Sequence, residues 1–213
     1  MCSFYKRGSK NLIAIKLIKT KTMINKKFIQ KLKKEYNQRE SERTQIIGLS
    51  GVALHNSKRI IFALHRGDVQ KAEKKLIETE KIFQKMKKKF GHKRISEEGS
   101  YRAGAEEYVE AKMFYSVITG KKIDIIKEID LDPIAYLGGI CDLTGELARK
   151  AVNDAADRNL DEVKKIKRAI NEIMAELVEF DMVGYLRTKY DQAKNNLKKI
   201  EQIDYEMRIR IKK

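Results

Sequence analysis

With one proline, 12 glycines and no tryptophan in 213 residues, the chain lacks the turn residues a β-sandwich needs, yet it is long enough for one sizeable core. Its 47 basic and 30 acidic residues leave a net charge of +17, an excess of one sign that general solubility does not explain and that favours an anionic partner, nucleic acid first. Cys2 and Cys141 form neither a disulfide framework nor a zinc pattern, so a reducing, cytoplasmic setting is expected.

The stretch LIAIKLI (12–18) is interrupted by Lys16 and is too short to span a bilayer, so no membrane association is expected. Residues 1–22 read as a loosely ordered basic tail, with Met23 as an alternative start, and 23–213 as a single helical domain. From about Asn25 to His65 apolar residues recur near helical spacing, although Gly48 and Gly51 weaken the case for an unbroken rod. Gly67-Asp68 ends that element, and Asp68 is placed to cap a second helix that closes at Gly91. A third helix opens around Ser96–Gly99 and runs to Gly120; a short segment, KKIDIIKEI, follows.

Asp132-Pro133 puts an N-cap before a proline at the first helical position, starting a helix to about Arg158. Two more run from near Asp161 to Phe180 and from Tyr185 to the end. The fold class is therefore all-α, an antiparallel bundle of six to seven helices.

Two of these helices carry acids where apolar residues are expected. Glu107 and Glu110 share one helix face, as do Asp142 and Glu146, and each pair lies on or beside the core-facing side. Gathering anions in a core is costly unless they are paired or coordinate a cation. Mg²⁺, with Mn²⁺ as the alternative, suits carboxylate oxygens and can activate water against a phosphodiester. Gly138, Gly139 and Gly145 are costly in a helix, which suggests close backbone approach there. The competing reading is a solvated face, with Glu146 paired to Lys150 one turn on. A ferritin-like di-iron site needs histidines where this chain has Met113 and Arg149. His55, His65 and His92 are scattered, and His65 reads as a packing or surface residue. Lys58, Arg59, Arg94, Arg102 and Lys189 are candidate phosphate contacts.

The motifs EEYVEA and DLTGELARKAVN, with SKRIIFALHR (57–66) and KYDQAKNNLKKIEQIDYEMRIR (189–210), resemble the translin/TRAX family from about Met23 onward, on its TRAX side. The resemblance implies a helical subunit of a closed, barrel-like homo-oligomer of six to eight copies (roughly, as for symmetric rings). It also implies Mg²⁺-dependent endoribonuclease activity on single-stranded RNA, with single-stranded DNA a second candidate ligand. Glu107, Glu110, Asp142 and Glu146 take the catalytic positions, and Glu110 and Glu146 those of the principal metal ligands. Glu106 departs from the family, where Gln often stands. The alternative is a non-catalytic, translin-type nucleic-acid-binding module; a purely structural assembly protein would leave the net charge unexplained.

Overall fold

A computed structural model describes residues 23–211 and, at 210 and 211, only the course of the helix. The expectation of a loose tail over 1–22 lies outside the described residues. Seven helices follow in order: α1 (Lys26–His65), α2 (Val69–Phe90), α3 (His92–Ser96), α4 (Gly99–Ile118), α5 (Pro133–Ala156), α6 (Leu160–Leu177) and α7 (Gly184–Ile211). No strand occurs among the described residues. The all-α class expected from the sequence is the fold observed.

Local chemistry explains where the helices start and stop. Asn25 Oδ1 accepts from Lys27 N at 3.0 Å at the head of α1, and Asp68 Oδ1 accepts from Lys71 N at 3.1 Å at the head of α2. Asp132 accepts from Ala135 N at 2.7 Å just before Pro133, and Asn159 caps α6, which begins at Leu160 beside the expected start near Asp161. Gly67 and Gly91 sit at φ 74° and 79°, left-handed conformations that only glycine adopts cheaply, and both end a helix. Gly48 and Gly51 leave α1 unbroken: a Cβ at either would meet nothing within 4 Å. The short α3 adds to the expected elements; it arises because Gly91 interrupts a basic run that then resumes helix for one turn.

The chain divides into two compact units, one ending at Arg39 and one beginning at Glu40. In the first, Phe28, Ile29, Leu32 and Tyr36 are exposed rather than packed. In the second, α5 packs against α4, α6 and α7, and α6 against α7. Ile60, Leu64, Phe83, Tyr108, Phe114, Leu143, Leu147, Ile170 and Ile200 are fully buried there. Each such side chain contributes about 1.5–3 kcal/mol by leaving water. The KKIDIIKEI segment is a loop, pinned by Tyr136 Oη accepting from Ile126 N at 2.8 Å and by Tyr101 Oη donating to Asp130 O at 3.1 Å.

Candidate metal and nucleic-acid site on α4 and α5

The acids of α4 and α5 come together because two glycines let these helices meet. A Cβ on Gly139 would lie 2.7 Å from Val109 Cβ and 2.8 Å from Glu106 O, and one on Gly138 would lie 2.5 Å from Glu106 Oε2. Only glycine fits at that crossing. Gly145 is different: its Cβ would meet Asn196 Nδ2 at 3.4 Å, an ordinary contact, so close approach does not account for it.

Glu106 and Glu110 are buried, and Glu107, Asp142 and Glu146 are partly buried. Burial first, then the negative charges of Asp142, Glu107 and Glu146, push the Glu110 carboxyl up to about 9. Glu107 is raised by burial, helped by Asp142 and Glu146 and opposed by Lys58 and Lys189. Neither has a hydrogen-bonding partner among the described residues.

The two acids of α5 are already engaged by protein cations. Lys189 of α7 contacts Asp142 Oδ2 and lies 2.7 Å from Glu106 Oε1. Burial still holds Asp142 above its ordinary value, with Lys189 opposing and Glu106 adding to the shift. Lys189 is raised although burial opposes it, because Asp142 and Glu106 both favour its charged form. Tyr185 donates its hydroxyl to Glu106 Oε1 at 2.5 Å. Glu146 Oε2 contacts His65 Nε2 and lies 3.5 Å from Arg149 Nη1. The His65 hydrogen bond lowers the Glu146 carboxyl against the opposing effect of burial.

These contacts revise several expectations. The Glu146–Lys150 pair does not form; Lys150 turns to Asp154. His65 belongs to the site, and its ring packs 5.0 Å from Phe114. Lys189 lies within the acid cluster rather than on an open face, with its side chain 18% exposed. Arg94 is taken up by acids, 2.7 Å from Glu98 and 3.3 Å from Glu42, so its fork is committed to carboxylates. Lys58, Arg59 and Arg102 are exposed. Tyr185 and the role of Glu106 escaped the sequence, since neither spacing nor composition links α7 to α4.

Among the described residues no three Asp, Glu, His or Cys side chains converge as a ready-made metal cage. The donor set nevertheless fits Mg²⁺, which uses one or two carboxylates and completes its shell with water. Glu110 and Glu107 have no hydrogen-bonding partner among the described residues, and a cation would balance the charged forms that burial and the neighbouring acids disfavour.

An all-helical fold with an acid cluster on two closely crossing helices defines a class of helical protein built around an anionic centre. The sequence profile of the translin family matches residues 41–211, and the chain belongs to that family. An uncharacterised protein of Methanocaldococcus jannaschii is 28% identical over 166 residues, covering 76% of this chain and 74% of that protein. Translin-associated protein X of Mus musculus is 24% identical over 222 residues, covering 83% and 76%. The apo-NeC3PO crystal structure superposes with a TM-score of 0.78 at 26% identity, covering 87% of this chain and 99% of that one. The AfC3PO–duplex RNA complex matches in fold, with a TM-score of 0.76 at 20% identity over 85% and 97%. No helix among the described residues is long and apolar enough to cross a membrane.

Proposed function

We propose that this chain is a divalent-metal-dependent endoribonuclease subunit acting on single-stranded RNA. The observation that carries the reading is Glu110: a buried, unpartnered carboxyl pushed up to about 9 in the company of three other acids. Such an arrangement is expensive for a fold to keep unless a cation or proton is exchanged there. Glu110 and Glu146 would hold Mg²⁺, or Mn²⁺ in its place, with Asp142 and Glu107 completing the catalytic set beside them. The ion, when bound, would supply Lewis acidity toward a phosphodiester and make water a better nucleophile.

The chain's own residues supply the rest. His65 fixes the orientation of Glu146 through Nε2. Glu107, with no hydrogen-bonding partner among the described residues, is available to take a proton from water. Lys58, whose charge is felt at Glu107, and the exposed Arg59 and Arg102 are suited to the phosphates of an incoming strand. Assembly into closed oligomers of this chain is part of the same reading, with Phe28, Ile29, Leu32 and Tyr36 offering exposed apolar area.

A second reading, a nucleic-acid-binding module without catalysis, is favoured by one observation: Lys189 and His65 already engage the acids of α5. Labelled single-stranded RNA incubated with the purified protein, with and without Mg²⁺, separates the two. Metal-dependent internal cleavage is expected; binding without cleavage at any Mg²⁺ or Mn²⁺ concentration would leave the module reading in its place.

A further inference from the structure

Lys189 is held from three sides. Its ammonium contacts Asp142, lies 2.7 Å from Glu106 Oε1, and sits 5.3 Å from the centre of the Tyr185 ring one helical turn earlier. Tyr185 also donates to that same Glu106 oxygen, so the orientation of the carboxylate does not depend on the lysine alone. Glu106 is itself 7% exposed, and its carboxylate occupies the space that a side chain at position 138 would fill. A second, rigidly placed acid has thus been built beside a lysine that already has a partner.

We propose that Glu106 is a second seat for the Lys189 ammonium, so that Asp142 can pass to a divalent cation without leaving the lysine unpaired. This rests on the metal reading of the site. Asp142 faces two ways: it contacts Lys189, and its charge acts on Glu107 and Glu110. A cation drawn to those acids competes with Lys189 for Asp142. Displacing a mostly buried ammonium with nowhere to go is strongly unfavourable, because an unpaired charge is left in a poorly hydrated place. Glu106 removes that obstacle, since Nζ is already within hydrogen-bonding range of it. The charge of Glu106 is therefore functional rather than incidental: a glutamine there would keep the volume, the Tyr185 hydrogen bond and an acceptor for the ammonium, but would not balance its charge.

The test is Mg²⁺ and Mn²⁺ binding to the intact protein without RNA, by calorimetry and Mn²⁺ spin resonance. Glu106→Gln, Lys189→Met and the double variant are compared, with thermal melting and oligomer size as checks on folding. Glu106→Gln should weaken binding and Lys189→Met should tighten it, each on the order of tenfold, as for partners standing behind metal ligands. Simple loss of negative charge would also weaken binding, so the double variant decides. Under ammonium exchange, Glu106→Gln loses its effect once Lys189 is Met, because there is no ammonium to seat. An equal loss in both backgrounds overturns the exchange while leaving the metal site intact. A wild-type protein that binds neither ion overturns the metal reading, and the exchange with it.

Discussion

His65 in the last turn of α1 hydrogen-bonds Glu146 in α5, 81 positions further along the chain. The imidazole is buried to 5% side-chain exposure and packs on Phe114, so one residue joins the end of α1 to both acid-bearing helices. His65→Ala should destabilise the protein by about 2–4 kcal/mol, through the missing ring volume and the Glu146 oxygen left with only the long Arg149 contact. His65→Gln, which keeps a donor, should recover part of that. Urea titration of the three proteins measures it, and an Ala variant as stable as wild type would show the contact to be idle.

Glu110 predicts a pH dependence of definite sign. Its folded-state acidity is weakened from 4.5 to about 9, so the folded protein keeps a proton that the unfolded chain loses. The associated stability is complete in acid and is lost as pH rises through the neutral range toward the folded value. In metal-free buffer, Glu110→Gln should match wild type near pH 5 and exceed it at pH 8 by roughly 2–4 kcal/mol. A stability difference that does not vary with pH would contradict the assigned environment.

Metal loading at neutral pH should release a proton as Glu110 ionises. Glu107→Gln, Glu110→Gln, Asp142→Asn and Glu146→Gln should each lower Mg²⁺-dependent cleavage by about two orders of magnitude or more. RNA binding should hold for Glu110→Gln, whose carboxyl already keeps its proton in the metal-free site, and hold or tighten for the other three, each of which removes a charge that repels phosphate. Cleavage assays on variants of wild-type oligomer size check this. Wild-type rates throughout would remove the catalytic role from these residues.

The glycine crossing makes a different demand. Gly139→Ala places a methyl within 2.8 Å of Glu106 O, a backbone atom that cannot step aside, and against Val109. A loss of about 1–3 kcal/mol or more is expected from overpacking, with cleavage falling alongside. Gly145→Ala, which meets only the end of Asn196, should be neutral or slightly stabilising. Thermal melts of the pair provide the comparison, and equal behaviour would refute it.

Binding of single-stranded RNA should weaken steeply with salt. Replacing Lys58, Arg59 or Arg102 by alanine should reduce the salt slope by about one unit for each phosphate that is no longer neutralised. Arg94→Ala should instead cost stability, because it deprives Glu42 and Glu98 of their shared partner. A filter-binding series in which Arg94 shifts the slope and Lys58 does not would reverse this division.

Much of the fold was legible because the punctuation is local. Asp68, Gly91 and Asp132-Pro133 act through hydrogen bonds and dihedral preferences reaching only a few residues. The α4 and α5 acids were legible too, as charges at positions where the helical period calls for apolar groups. What surrounds them was not. His65 and Lys189 reach the site from α1 and α7, and a sequence read in windows treats the first as a packing or surface residue and the second as a phosphate contact. The exposed row at Phe28, Leu32 and Tyr36 has the spacing of a core stripe, and spacing alone does not say whether its partner lies in the same chain.

That Lys189 sits on α7 has a consequence for synthesis. The ribosome completes α4 and α5, with all their acids, well before residue 189 emerges. Until then the nascent chain carries these like charges with no ammonium across Glu106 and Asp142, and the pairing of α4 with α5 rests on apolar contact and on protons. The last helix therefore brings more than apolar area from Ala193 and Ile200. It delivers the counter-charge, so Glu106 and Asp142 gain their shared ammonium only once α7 has docked.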